Sequence, residues 1–401
     1  MNRRGLTVAD IANPEPRSIA IGPFGSALRS DRYTSSGVPV VRGQNIGDRW
    51  VLKSDDVVYV APETAAEFPA CIVREGDLVF PHRGAIGRVA LVGNEEWLLS
   101  SSMMKLTVNP QIADPRYVLL YFRSSGRDEL LKRASTVGTP GIGQPLTSLR
   151  GIEVPLPPLP EQQAIAEVLG ALDDKIAANT KLAATADQYL AALLDRELSL
   201  DHELTELGEI ASVNADAVKP VAGGSLRYID IASVAVGGFT FPELSSWDDA
   251  PGRARRRVHF GDTIWSTVRP NRRSHALNLT DDPLLVASTG LAVLSPRSVG
   301  FAYLYEVTRR PEFSAYLENV AEGSAYPAVR ADRFLDAPVA VLTSDRVKRF
   351  EDVATPLRKH VNALATENRT LAATRDALLP QLMSGKLRVR EAEAAASEVG
   401  V

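Results

Sequence analysis

Cysteine is almost missing from this sequence, with Cys71 standing alone among 401 residues. A single thiol excludes an intramolecular disulfide and fits a reducing compartment. Histidine is scarce too: His82, His202, His259, His275 and His360 are scattered, and none of them has the spacing of zinc ligands. No apolar run approaches the roughly 18 residues of a membrane span, and Met1-Asn2-Arg3-Arg4-Gly5 is not followed by the apolar stretch of a secretory signal. The expectation is therefore a cytoplasmic protein without membrane or metal. A phosphate loop of the Gly-x-x-x-x-Gly-Lys-Ser/Thr type is absent, and Gly138-Thr-Pro-Gly141-Ile-Gly143 has the wrong spacing for a dinucleotide fingerprint. No Asp/Asn-Pro-Pro-Tyr/Phe loop is present to hold the amine of a flipped adenine. Asn13-Pro14-Glu15-Pro16 and Asp114-Pro115-Arg116-Tyr117 are the nearest strings, and neither fits. Asp173-Asp174-Lys175 reads as the solvated face of a helix rather than as nuclease chemistry. The chain is thus expected to be no enzyme by itself and to carry no cofactor. Positive charge is also in short supply, with a formal net charge of −4. Any nucleic acid would have to be met through local basic patches or with the help of partners.

The chain does contain itself twice. Its length suggests two or three domains, and 45% hydrophobic with 23% charged residues is ordinary for a globular protein. Asn179-Thr-Lys-Leu182-Ala-Ala-Thr-Ala-Asp187 recurs 189 positions later as Asn368-Arg-Thr-Leu371-Ala-Ala-Thr-Arg-Asp376. Gly76-Asp77 opens the strand-like Leu78-Val79-Phe80, as Gly261-Asp262 opens Thr263-Ile264-Trp265. Ser102 to Pro110 parallels Ser288 to Pro296, Tyr117 to Tyr121 parallels Phe301 to Tyr305, and Ala9 to Ala12 parallels Gly208 to Ala211. Such ordered matches make the chain a tandem duplication.

Each copy has a front portion of short Val-, Ile- and Tyr-rich runs broken by Gly, Pro, Asn and Asp, which reads as strands and turns with a few helices. A long helix follows. The first begins after the proline-rich Pro155-Leu-Pro-Pro-Leu-Pro160, which cannot be helical internally. Its apolar stripe takes in Ile165, Val168, Leu172, Asn179, Leu182, Ala186, Tyr189 and Leu193. The second carries Phe350, Ala354, Leu357, Val361, Leu364, Asn368, Leu371, Leu378 and Leu382, with Gly385 placed as a cap. Alternating three- and four-residue steps make a heptad seam, and two matched seams most simply pack together, antiparallel, as a rod on the order of 55 Å long. Asn179 and Asn368 occupy equivalent places, either fixing register as buried polar residues or lying at a wet seam edge. Tyr117, Tyr121, Tyr303 and Tyr305 read as core rather than as stacking platforms. The end of the chain, Glu391 to Val401, reads as frayed or disordered.

Basic side chains concentrate in one place. Arg253, Arg255, Arg256, Arg257, Arg269, Arg272 and Arg273 face a single acid, Asp262, between residues 253 and 273, with Asn271 beside them. This suits phosphate neutralisation and pairing with the guanine major-groove edge. The first copy offers Arg83, Arg88 and Lys105, with Arg42, Gln44 and Asn45 as candidate readers. Thr139 and Gln144 in the glycine-rich loop, and Ser324, Tyr326 and Arg330 at the matching place, complete the candidates.

Several of these strings resemble one family. Pro157-Pro-Leu-Pro160-Glu-Gln-Gln-Ala-Ile165-Ala, followed by Leu172-Asp-Asp-Lys175-Ile176, resembles the central conserved region of type I restriction–modification specificity subunits. Gly76-Asp-Leu-Val-Phe-Pro-His-Arg83-Gly84-Ala-Ile-Gly87-Arg88 and Gly261-Asp-Thr-Ile-Trp-Ser-Thr-Val-Arg269-Pro270-Asn271 are similar to a strand–loop motif of their target-recognition domains. Pro39-Val-Val-Arg42-Gly43-Gln44-Asn45-Ile46 and Leu378-Leu-Pro-Gln-Leu382-Met-Ser-Gly385-Lys386-Leu387 match further segments. The second copy departs from the pattern, having Pro338-Val-Ala-Val-Leu-Thr-Ser-Asp345 in place of the proline-rich stretch.

The resemblance implies an α+β fold: two mixed α/β target-recognition domains related by pseudo-two-fold symmetry and separated by two long antiparallel coiled-coil helices. The domains would be 1–155 and 199–343, the helices 156–198 and 344–390, and the tail 391–401. Each domain would read one half of a bipartite, asymmetric target in double-stranded DNA. The helices, through Leu172, Asn179, Leu182, Leu193, Leu364, Asn368, Leu371 and Leu382, would set the spacer and dock two modification (methyltransferase) subunits, which a restriction translocase-nuclease subunit would join. The competing reading is a coiled-coil adaptor that joins proteins and leaves DNA untouched.

Overall fold

The computed structural model of the chain describes residues 4–24, 27–47, 50–54, 56–135, 138–323 and 326–401. The chain divides into two compact units, Met1–Ala178 with Glu367–Val401, and Asn179–Thr366. Each unit holds one globular α+β part and a portion of both long helices, Leu159–Leu200 and Ser344–Ser384. Among the described residues no helix is long and apolar enough to cross a membrane. None of the His, Cys, Asp and Glu side chains described there gather in threes where a metal ion could be held.

In unit one, a four-stranded sheet runs in the order Ile19–Ile21, Met103–Leu106, Leu78–Pro81, Ala90–Leu91. A five-stranded sheet orders Tyr33–Thr34, Val58–Val60, Val38–Val41, Trp97–Leu99, Ile72–Val73, with one parallel pair, Val38–Val41 beside Trp97–Leu99. Side chains alternate across a strand. Leu78 and Phe80 therefore join the core made with the helices, while Val79 joins the core shared with the second sheet.

Unit two repeats this plan. Ala211–Val213, Leu291–Pro296, Thr263–Ser266 and His275–Leu277 form one sheet, and Leu244–Ser246, Ser225–Ile229, Leu285–Ser288 and Ala254–Arg257 the other. Again a single parallel pair, Ser225–Ile229 with Leu285–Ser288, lies inside an otherwise antiparallel sheet.

A two-stranded pairing closes each globular part just before a long helix: Arg4–Thr7 with Glu153–Leu156, and Glu203–Glu206 with Pro338–Val341. Buried tyrosines fasten a short helix to these strands. The Tyr117 hydroxyl donates to the Pro155 carbonyl at 2.9 Å, and that of Tyr121 to the Glu153 carbonyl at 2.7 Å. In unit two the Tyr303 hydroxyl donates to the Ala340 carbonyl at 3.1 Å and accepts from the Leu342 N–H at 3.1 Å. Burial pushes Tyr121 and Tyr303 up to about 12, so both stay protonated donors.

The long helices are tied in by equivalent residues. Gln162 is buried, its Nε2 donating to the carbonyls of Pro157 (2.9 Å) and Ile112 (3.1 Å) while its Oε1 accepts from the Asp114 N–H (3.0 Å). Asp114 caps the helix Pro115–Arg123. At the matching place in unit two, Glu351 accepts from the Tyr303 N–H at 2.6 Å, in the first turn of the helix Phe301–Thr308, whose cap residue Gly300 has no side chain. The carboxylate supplies the acceptor that the missing cap cannot.

Within each unit the helix portions run antiparallel. Asn368 Nδ2 meets the Ile176 carbonyl at 3.5 Å and Arg375 pairs with Asp173 in unit one. Arg358 pairs with Asp187 at 2.7 Å and Arg346 with Glu197 in unit two. Leu172, Leu371 and Leu382 are buried in the unit-one core, and Leu364 and Asn179 are buried as well. Leu193 packs half-buried against the unit-two core. Leu182 departs from the expected seam, being 48% exposed, and Tyr189 is 53% exposed. From Asn179 the four-three-four stepping lands on Ala183, Ala186 and Leu190: Ala186 is buried as expected, while the seam places beside it fall one position past Leu182 and Tyr189.

The end of the chain also differs from expectation. The second long helix stops at Ser384, where Gly385 (φ 73°) turns the chain and the Lys386 N–H reaches back to the Gln381 carbonyl at 3.0 Å. Val389–Glu398 is then a further helix, with Ala392 and Ala396 buried in the unit-one core. Alanines four apart make a narrow apolar face that composition alone disguises.

Replacing Gln162 with Ala would leave three backbone groups without a partner. A stability loss of about 3 kcal/mol is expected in denaturant titration, since each buried unpaired group costs roughly 1–3 kcal/mol. A loss below about 1 kcal/mol would show that the amide is not what anchors this helix.

Candidate nucleic-acid interface

The repeated Gly-Asp pair builds a turn rather than a site. Asp77 accepts from the Arg74 N–H at 3.0 Å and from the Thr107 hydroxyl. Lys105, a candidate DNA contact, is only 8% exposed. Its ammonium donates to the Ile72 carbonyl at 2.9 Å and faces Asp77 at 3.4 Å, so it serves the interior. Asp262 makes the same turn, accepting from the His259 N–H at 2.7 Å. Burial pushes its carboxyl above the usual range, against the hydrogen bonds from Ser295 and His259.

That turn aims a strand at a loop, and the loop is joined to a distant segment by backbone hydrogen bonds. In unit one the Gly84 N–H donates to the Pro140 carbonyl and the Ile142 N–H to the His82 carbonyl, both at 2.9 Å. Arg83, Arg88, Thr139 and Gln144 are exposed on this platform. Arg88 also donates to the Ile46 carbonyl at 3.2 Å. Beside it opens a cavity of about 460 Å³ whose lining includes Phe24, His82, Arg83, Ile142, Gln144 and Thr147. Burial lowers the His82 imidazole below its usual range despite the Ser101 carbonyl at 3.1 Å. The turn at 42–45 is more inward than its sequence suggests. Arg42 (2.5 Å) and the exposed Gln44 (3.3 Å) donate to the Asp56 carbonyl. Asn45 is fully buried, accepting from the Arg42 N–H at 3.0 Å. It builds the turn and, so placed, cannot reach a groove.

Unit two has the same platform. The Arg269 N–H donates to the Pro327 carbonyl (2.7 Å) and the Val329 N–H to the Thr267 carbonyl (2.8 Å). Arg253 adjoins it through the turn that follows Leu285–Ser288: the Arg253 carbonyl accepts from the Thr289 N–H and the Gly290 carbonyl from the Thr267 N–H. Arg253, Asn271, Arg272, Tyr326 and Arg330 are exposed, the last paired with Asp332 at 3.2 Å. Ser324 lies outside the described residues.

The arginine run splits into outward and inward members. Arg256 turns inward to Asn214 Oδ1 (2.7 Å), and burial lowers its guanidinium below the usual range. Arg257 donates to the Pro283 carbonyl at 2.6 Å and faces Asp216 at 3.6 Å, and Arg255 bends back to the Ala254 carbonyl at 2.7 Å. Arg273 donates to the Arg309 carbonyl at 2.7 Å. Adjacent arginines on a strand point to opposite faces, so a run of them cannot all face one ligand.

Sequence reasoning missed a buried ionic cluster in unit two. Arg358 and Glu306 are buried together, with Nε to Oε1 at 2.8 Å. Asp187 joins them through Arg358 and Arg309, and the Arg358 guanidinium lies 4.7 Å from the Tyr305 ring centroid. Burial would raise the Asp187 carboxyl, but the two guanidiniums outweigh it and hold it below the usual range. The signal was present: Arg358 falls on the seam stepping between Ala354 and Val361, where a charge demands a buried partner.

Unit two also carries a titration of its own. His275 is buried, stacked on Trp265 with ring centroids 4.7 Å apart, and its Nδ1 faces the Arg273 carbonyl at 2.6 Å. Burial pushes the imidazole down to about 4. The unfolded chain takes up this proton below roughly pH 6.5 and the folded chain does not, so stability falls on acidification between those values. A loss of about 2 kcal/mol from this residue is expected between pH 7 and pH 5, and His275→Phe should remove that part of the slope. Equal pH slopes for wild type and variant in denaturant titrations would refute it.

Comparison with known proteins agrees with this architecture. Residues 26–187 match the family model described as the type I restriction modification DNA specificity domain. The chain is 20% identical over 348 residues to the type I restriction enzyme MjaVIII specificity subunit of Methanocaldococcus jannaschii, covering 80% of this chain and 81% of that one. It is 27% identical over 192 residues to the putative MjaX specificity subunit of the same organism, covering 45% of this chain and 44% of that one. A crystal structure of the S subunit of a type I restriction–modification system from M. genitalium shares the fold, with a TM-score of 0.65 at 15% identity over 95% of this chain and 96% of that one. With its duplicated α+β parts and paired long helices, the chain is similar to the specificity subunits of type I restriction–modification systems, and its residues 26–187 match their DNA specificity domain.

Proposed function

We propose that each unit reads one half of a bipartite, asymmetric sequence in double-stranded DNA. The observation that carries this reading is the same platform built twice, a strand-end loop laced to a distant segment by paired backbone hydrogen bonds with exposed polar and basic side chains at its rim. The exposed arginines supply phosphate contacts, and the rim residues supply base contacts. The domains are 1–155 and 199–343. The long helices, 156–198 and 344–390, set the distance between half-sites and dock two modification subunits, with a restriction translocase-nuclease subunit joining the assembly. Chemistry on the DNA, including extrusion of the target base, belongs to those partners.

Exchanging residues 1–155 for a domain of different specificity should change one half-site of the methylated sequence and leave the other intact. A change in both halves would defeat the two-reader reading. Binding of the assembled methyltransferase to its duplex should weaken steeply with salt, each neutralised phosphate adding about 0.9 to the logarithmic slope. A flat response would favour an adaptor that leaves DNA untouched. The purified chain alone, given DNA and S-adenosylmethionine, should transfer no methyl groups.

A further inference from the structure

The two platforms are alike in backbone and unlike at two positions. Gly84 (φ 77°) and Gly87 (φ 85°) take left-handed conformations in unit one, and Arg269 (φ 52°) and Arg273 (φ 53°) do so in unit two. Gly84 and Arg269 correspond because the N–H of each donates across the platform to a proline carbonyl, Pro140 and Pro327. Left-handed backbone suits glycine and strains a side-chain-bearing residue, so an arginine held there calls for a reason. Arg273 has an interior one in the Arg309 carbonyl.

Arg269 has none. Among the described residues no acceptor or carboxylate engages its guanidinium, which lies over the ring of Tyr326 with 4.8 Å to the centroid. Tyr326 is itself 70% exposed at the rim. Stacking on a ring fixes the plane of a guanidinium and leaves its N–H edge free. A phosphate needs only a charge within reach, which the exposed Arg253 and Arg272 already offer. A planar fork held at a set angle suits a partner with two acceptors side by side, and the N7 and O6 of guanine are that partner in the major groove.

We infer that Arg269, oriented by Tyr326, is a base-reading residue that pairs with one guanine in the half-site of unit two. Unit one, with Gly84 at this place, has no counterpart. The inference rests on the reading of unit two as a DNA-recognition domain.

The test uses the full chain assembled with its modification subunits, acting on duplexes randomised through the unit-two half-site, with methylation as readout. Wild type should require guanine at one position. Arg269→Gly restores the residue that unit one uses and relieves the backbone, so folding is not at risk. It should relax that position by roughly 10- to 100-fold and leave the other half-site unchanged. Arg269→Lys should lose the preference while keeping the salt slope, and Tyr326→Ala should weaken it partly. A loss uniform over all sequences, with the slope reduced by about 1, would mark a phosphate contact and overturn the inference. An unchanged profile would overturn it too. A wild-type assembly indifferent to sequence in both halves would instead overturn the recognition reading, and this inference with it.

Discussion

The geometry of each unit depends on a polar side chain of a long helix, buried in unit one and half-buried in unit two, that satisfies the start of a shorter helix. Gln162 does this in unit one and Glu351 in unit two. A helix N-terminus has backbone donors without partners, and burying it bare is costly. Both tied helices carry the tyrosines that hold the terminal strand pair. Strand pair, tyrosine helix and long helix are thereby locked as one body, and the sheets that raise each platform are packed on that body.

The duplication survives in the backbone far better than in the side chains. Sheet orders, parallel pairs, Gly-Asp turns and platform hydrogen bonds recur, while the groups performing each duty change. Amide becomes carboxylate at 162 and 351, and glycine becomes arginine at 84 and 269. Asp77 faces a lysine from the neighbouring strand, whereas Asp262 faces His259 from its own turn. Backbone pairing is indifferent to side-chain identity, so a duplicated frame persists while its rims diverge.

Much of this was legible in the sequence, for physical reasons. The repeat offset and the heptad stepping follow from periodicity, and glycines at the turns from the φ they must adopt. Leu182 and Tyr189 misled because apolar character was taken for burial, when the next positions, Ala183 and Leu190, lie in the seam. Lys105, Asn45 and Arg256 read as DNA contacts because a sequence shows charge and amide but not which way a strand or a turn presents them. Arg358 passed unnoticed for the converse reason, its partners Glu306 and Asp187 being far away in sequence.

The division of the chain bears on how it is made. Unit two is one continuous segment, complete once residue 366 has been synthesised. Unit one is assembled from both ends of the chain, and Leu371, Leu382, Ala392 and Ala396 belong to its core. During synthesis the unit-one residues before 179 must therefore wait for those after 366, and the second copy can finish folding before the first. Until the second segment joins, the unit-one core, to which Ile165, Leu169 and Leu172 also belong, stays incomplete, and apolar surface left open in this way is what exposes a folding chain to misassociation.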